Sequence, residues 1–304
     1  MLIITDQTTC FDAAGRQIDC RGSGHDGDGK THSDVGGNHR FVTGDDRVTD
    51  GWTGCVWHQH AGLSEFPMTW DEAFAFVEEM NRPGGNASNQ WRLPSRRELF
   101  SLISHQNINP ALPAGHPFVD VFNGYYWTGT ECARVPDQAW YVHLGGGKVY
   151  RGMKHASYMV WPVSGPSLLT PVPEKRFVID GKKILDRATE RHWYIGEKLP
   201  VHAVSWEAAI DSVRSLNLND GFPGDNWRLP NIRELDSLVD LTRHSPALDD
   251  ILPVSDAQVG FWSSTTSIFE PRYAWALYAL DGAIGVGFKP KADFRVIAVR
   301  KSIT

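Results

Sequence analysis

The chain has 304 residues, 41% of them hydrophobic and 22% charged, with a formal net charge of −6 at pH 7. Each half is long enough to bury a core of its own, and the acidic balance argues against a dedicated nucleic-acid binder, whose phosphate affinity rests on clustered Lys and Arg. No apolar run approaches the ~18–20 residues of a membrane helix, so no membrane span is expected.

The opening Met1-Leu2-Ile3-Ile4 is too short and uncharged to be a secretory signal; either there is none, or the methionine replaces a removed one. Residues 1–38 read as a polar, Gly-rich N-terminal extension without a counterpart later in the chain. Cys10 and Cys20 close a short Gly/Asp-rich segment where a disulfide would supply the order that packing cannot; spacing alone leaves bridged and unbridged forms open. Asp26-Gly27-Asp28-Gly29 invites a calcium reading but fails the EF-hand template, because Lys30 stands at a ligand position and no Glu closes the loop. A looser calcium site of Asp26, Asp28 and Asp34 is weighed beside it. A flexible polar turn is the plainer expectation, and no cofactor is expected.

Residues 39–165 form a first domain. A strand over 40–48 leads to a turn at Asp50 and a short strand ending at Trp57. Cys55 sits in an apolar slot beside Trp57, as a buried free thiol or bridged to Cys132. His58 and His60 could share one face of a strand and hold a metal with His25, His32 or His39, although solvated loop histidines explain them as well. Thr69-Trp70-Asp71-Glu72 is a capping box, and Trp70, Ala73, Phe74 and Val77 fall on one helical stripe. After Trp91-Arg92-Leu93-Pro94, Ser95 and Glu98 make a second capping box, opening a helix at Arg96 with Leu99 and Leu102 inward. Loops around residues 110–117 precede β-like runs at 125–130, 139–144, 148–150 and 158–163.

The Pro-rich stretch 164–173 is a linker, and residues 166–304 comprise it and a second copy of the same domain. Arg40-Phe41-Val42 recurs as Arg176-Phe177-Val178 and the tetrad as Trp227-Arg228-Leu229-Pro230, an offset of 136 residues that slips to 135 at Trp127/Trp262 and Trp140/Trp275. Ser205 starts the counterpart helix, Asn231 caps the short one with Glu234, and β-like runs follow at 260–265, 274–280, 283–288 and 294–300. Two helices followed by an antiparallel sheet make each copy α+β. The paired tryptophans (57/193, 70/206, 91/227, 127/262, 140/275) are expected in the core rather than as sugar platforms. Arg92 and Arg228 are expected to pair with Glu98/Glu234 or Asp50/Asp186, as scaffold.

These residues resemble the bacterial domain family typified by the C-terminal domain of the Legionella collagen-like adhesin. The likeness rests on Val48-Thr49-Asp50 with Thr53-Gly54 and Trp57, the tetrad with Arg97-Glu98-Leu99, Asn109-Pro110-Ala111-Leu112, Tyr126-Trp127-Thr128-Gly129-Thr130, Ala139-Trp140 and Val160-Trp161-Pro162-Val163. In copy two it runs through the second tetrad, Arg233-Glu234-Leu235 and Phe261-Trp262-Ser263-Ser264-Thr265, but departs at Ala188-Thr189-Glu190, where Thr-Gly is expected. The resemblance implies two tandem C-type-lectin-like domains, each a compact sheet whose long loops present a binding face. Neither copy carries the Trp-Asn-Asp pattern of calcium-dependent sugar binding. Cys10-Phe11-Asp12, Cys20 and Asp26-Gly27-Asp28 are similar to lead-ins on such domains in exported proteins, which implies a periplasmic, cell-surface or secreted location.

A non-enzymatic, adhesin-like protein binding a glycan or protein ligand is therefore expected. His58, His60, His105 and His143 meet Tyr194, Gly196, Leu241 and Ala279 in copy two, so no catalytic base is duplicated. Alternatives are a diversified display protein of a retroelement, a structural module of a pilus or envelope assembly, and, less favoured, an enzyme related to formylglycine-generating enzymes. Ligand candidates are late-loop residues that the copies do not share: Glu131, Arg134, Asp137, Lys148, Tyr150, Arg151, Lys154, His155 and Tyr158 in copy one, and Phe269, Glu270, Arg272, Tyr273, Lys289 and Lys291 in copy two. The basic group Lys148, Arg151, Lys154 and His155 could grip a sulfated or carboxylated glycan or be a solvated charged face, and Lys148, Arg151, Lys154 and Tyr158 are expected to meet non-basic or differently placed residues in copy two.

Overall fold

A computed structural model describes residues 5–30, 40–82, 90–167, 175–219, 226–252, 254 and 260–302. His32, Asp34, His39 and linker residues 168–173 lie outside the described residues. The chain divides into two compact units, residues 36–170 and residues 1–35 with 171–304. The N-terminal extension thus belongs with copy two.

In that extension β1 (Cys10–Phe11) and β2 (Gln17–Ile18) form an antiparallel ribbon, and a Cys10–Cys20 disulfide closes it. Gly27 passes so close that an added Cβ would stand 2.9 Å from each sulfur. Cys55 and Cys132 are free and buried, so the alternative bridge between them is not formed.

In copy one the expected strand 40–48 is two strands. β3 (Phe41–Gly44) and β4 (Arg47–Asp50) form a hairpin about Asp45, whose φ of 49° suits a tight left-handed turn. β5 (Val56–His58) pairs with β4. Helix α1 (Trp70–Asn81) and helix α2 (Arg96–Ser101) begin at the expected capping boxes of Thr69 and Ser95. A second antiparallel sheet follows: β6 (Tyr125–Glu131), β7 (Gln138–His143) and β8 (Val149–Met153), with a bulge in β6 between Trp127 and Glu131. The chain returns through β9 (Val163–Ser164) beside β5.

Copy two repeats this order. β10 (Phe177–Asp180), β11 (Lys183–Asp186) and β12 (Arg191–Tyr194) form a sheet closed by β16 (Val299–Lys301). Helices α3 (Trp206–Asn219) and α4 (Ile232–Ser237) precede β13 (Gly260–Thr266), β14 (Tyr273–Tyr278) and β15 (Ile284–Phe288). The bulge recurs between Trp262 and Thr266. The α+β reading and the tandem copies hold; the break at Gly181, φ 60°, is the counterpart of that at Asp45.

Each core sits between its first helix and its late sheet: Trp70, Ala73, Val77, Leu93, Trp127, Ala139 and Val160 in one copy, Trp206, Ala209, Val213, Leu229, Trp262 and Ala298 in the other. The paired tryptophans are buried as expected, except that Trp91 is half-buried under Arg47 at 4.3 Å. Phe74 departs from the expected stripe: it is 40% exposed, whereas its counterpart Ile210 is 4% exposed.

Arg92 donates to both oxygens of Glu98 (2.7 and 2.8 Å), and Arg228 to both of Glu234 (2.6 and 2.5 Å). Asp50 and Asp186 belong instead to Arg40 (3.0 and 2.8 Å) and Arg176 (2.8 and 2.7 Å), each of which also donates to a carbonyl at the end of the short helix, Ser101 or Ser237. Asn81 and Asn217 each clasp the backbone N and O of the tetrad Trp, at 2.7–2.9 Å. These ties fix the helices against the sheet that carries the loops.

Candidate binding face

Strand alternation and register place a set of aromatic side chains on one face of β6–β7–β8. Trp127 pairs with Tyr141, Tyr141 with Tyr150, and Tyr125 with His143, so these five share a face, while Tyr126, Trp140, Val142 and Val149 turn to the other side. Tyr158 lies across them, its ring 4.4 Å from Trp127, 5.1 Å from Tyr141 and 5.2 Å from Tyr125. Gly152 makes room for it, since a Cβ there would stand 2.6 Å from the Tyr158 hydroxyl oxygen. Tyr125 is 42% exposed, Tyr150 and Tyr158 are half-buried, and Tyr141 is buried.

Cations flank the rings. Lys148 Nζ and the Arg151 guanidinium lie 4.7 and 4.6 Å from the Tyr150 centroid. Burial, then the neighbouring tyrosines, pushes the Tyr141 phenol far up, and burial, then Tyr125, raises that of Tyr158. Burial, then Lys148, holds His143 below the usual histidine range. The face therefore sets phenols and an imidazole that burial disfavours as charged species beside Lys148, with the guanidinium of Arg151, paired with Trp140 by register, reaching the Tyr150 ring.

The expected basic group is only partly assembled. Lys148 and Arg151 meet at Tyr150, but Lys154 turns away to lie 4.3 Å over Trp70 and 3.1 Å from Glu131. His155 is exposed on the turn after β8, and Arg134 and Asp137 are exposed on the β6–β7 loop. The expectation that copy two has a non-basic or differently placed residue opposite Lys154 is wrong. Lys154 N bonds Asp137 O and Lys289 N bonds Arg272 O, so Lys154 and Lys289 are counterparts in the scaffold.

Lys289 is also no surface ligand residue. It is fully buried over Trp206 at 4.1 Å, and donates to Phe11 O at 2.8 Å and Thr266 Oγ1 at 3.1 Å beneath the N-terminal extension. Phe269, Glu270 and Arg272 share the β13–β14 turn, with Arg272 paired to Glu270 at 3.1 Å; Tyr273 packs on Phe288 at 5.3 Å, and Lys291 is exposed.

The tyrosine face is not repeated. Register sets Gly260, Ala276, Gly285 and Phe294 where copy one has Tyr125, Tyr141, Tyr150 and Tyr158. Tyr278, the true counterpart of His143 by register, folds over Gly285, where a Cβ would stand 3.0 Å from its ring. Tyr125, Tyr141 and His143 were missing from the sequence candidates. Four tyrosines set against Gly, Ala, Gly and Phe at an offset of 135 or 136 residues were the signal.

His58 is buried on β5 against Trp91 rather than in a solvated loop, and His60 pairs with Asp120 at 2.9 Å. Among the described residues no group of three His, Cys, Asp or Glu is placed to hold a metal, and no helix is long and apolar enough to cross a membrane.

The model of the Lcl C-terminal domain family matches residues 46–164 and again 182–300. The chain belongs to that family, in two tandem copies. No curated protein matches it.

Proposed function

We propose that this member of the Lcl C-terminal domain family is an exported, non-enzymatic, adhesin-like protein of C-type-lectin-like build, and that the tyrosine face of copy one takes a sulfated or carboxylated glycan. The observation that carries the reading is the contiguous set Tyr125, Tyr141, Tyr150 and Tyr158 with Lys148 and Arg151 at its edge. Phenol rings stack on the C–H faces of sugars, their hydroxyls exchange hydrogen bonds with sugar hydroxyls, and the cations select acidic groups. The Cys10–Cys20 disulfide fits an oxidising compartment.

Titration with an acidic oligosaccharide tests this. Affinity should fall as salt rises, because exposed charges are screened over ~8 Å at physiological ionic strength, and Lys148→Ser should weaken binding several-fold. Salt-independent binding that survives Lys148→Ser would remove the acidic glycan from this face.

A further inference from the structure

In copy two the N-terminal segment lies across α3 and the bulged end of β13. Gln7 exchanges two hydrogen bonds of 2.8 Å with the Thr266 backbone. Asp26 N donates to Ser264 O at 3.0 Å, and the buried Asp26 carboxylate accepts from Thr265 Oγ1 and Thr5 Oγ1, each at 2.7 Å, and from Lys30 Nζ at 2.6 Å. Gly24 seats on Ile210, where a Cβ would come within 3.1 Å; His25 stands 4.5 Å from Trp206, and Arg214 donates to Gly22 O at 2.7 Å.

Copy one carries the same platform with its surface open. Trp70, Phe74, Gly129, Thr130, Glu131 and Lys154 stand where copy two has Trp206, Ile210, Ser264, Thr265, Thr266 and Lys289. The internal bonds are reproduced: Trp70 Nε1 donates to Thr128 O at 2.9 Å as Trp206 Nε1 does to Ser263 O at 2.7 Å, and Thr130 Oγ1 accepts from Arg96 N at 3.0 Å as Thr265 Oγ1 does from Ile232 N at 3.1 Å. The exposures diverge. Ile210, Thr265 and Thr266 are buried, whereas Phe74 and Glu131 are exposed and Thr130 half-buried. Among the described residues nothing accepts from the Thr130 hydroxyl, the group that in copy two donates to Asp26. At the rim, Glu131 replaces Thr266 and Glu78 replaces Arg214.

We infer that this face of copy one, between α1 and β6, docks a peptide segment of a partner protein. The segment is a Gly-flanked turn whose backbone lies close on the Trp70–Phe74 ledge, with one carboxylate for Thr130 and a basic residue facing Glu131 and Glu78. Among the described residues the one such segment is seated on copy two, and the occupant proposed for copy one is a segment of another chain. The acidic rim makes it a variant of the segment rather than a replica.

The probe is a disulfide-closed synthetic peptide of residues 5–30 carrying Gln7→Lys, titrated into the intact protein with amide shifts recorded. Shifts should appear at residues 129–131 and at Phe74. Affinity should drop at least tenfold with Thr130→Val in the protein or Asp26→Asn in the peptide, and more with Phe74→Glu, an exposed position whose change leaves the core intact. Absence of binding, shifts confined to residues 264–266, or unchanged affinity in both protein variants would each overturn the inference.

Discussion

Glu98 and Glu234 each receive several donors at once. Each carboxylate takes both guanidinium nitrogens of the tetrad arginine and the N–H of its own helix cap, Ser95 at 2.7 Å or Asn231 at 3.0 Å; Glu234 adds Arg191 at 3.1 Å. The carboxylates are buried while the arginine side chains are 35% and 42% exposed. Arg92→Ala and Arg228→Ala should therefore cost about 2 kcal/mol each, below the 3–5 kcal/mol of a fully buried pair because solvent partly screens the guanidinium. Denaturant titration should show the loss, with glycan affinity retained. Burial alone would raise the Glu234 carboxyl, but Arg228, the Asn231 N–H and Arg191 hold it below its ordinary 4.5. Its contribution to stability is thus present above pH 4.5 and lost as pH falls through the lower folded value. Melting temperature in mild acid should fall less in Glu234→Gln than in the parent; an equal fall would show that this carboxylate is not held low.

At the level of elements, what depends on neighbours in sequence was legible and what depends on register was not. Three capping boxes were readable because a cap and its partner stand three residues apart, and Ser95→Ala or Asn231→Ala should each cost about 1 kcal/mol. The hairpin at Asp45 was read through although Gly44-Asp45-Asp46 is a run of turn-forming residues. The tyrosine face needs the pairing of three strands, and the seat of the extension needs Gln7 beside Thr266, 259 residues away. No local pattern encodes either. Gly152→Ala should push Tyr158 off the face and weaken glycan binding without unfolding copy one, since what the added Cβ meets is a half-buried side chain rather than backbone; unchanged affinity would mean that Tyr158 does not shape the site. Cys10→Ser should release the N-terminal segment and raise amide exchange around residues 206–214 and 264–266, leaving residues 70–78 and 129–131 unaffected. Equal changes in both sets would contradict the segment's assignment to copy two.

Across the whole molecule, duplication supplies its own control. The copies share the tetrad, the caps, the core tryptophans and even the Lys154/Lys289 position, so none of these explains a ligand preference. What separates them is one face carrying four tyrosines and two cations against Gly, Ala, Gly and Phe, and one platform covered in copy two but open in copy one. Binding is accordingly expected to be one-sided, at one glycan per chain. The direct measurement is a glycan array probed with the intact protein and with a Tyr125→Ala/Tyr150→Ala variant of unchanged melting temperature. The account predicts signals on sulfated or carboxylated glycans that the variant loses; signals of equal strength from parent and variant would contradict it.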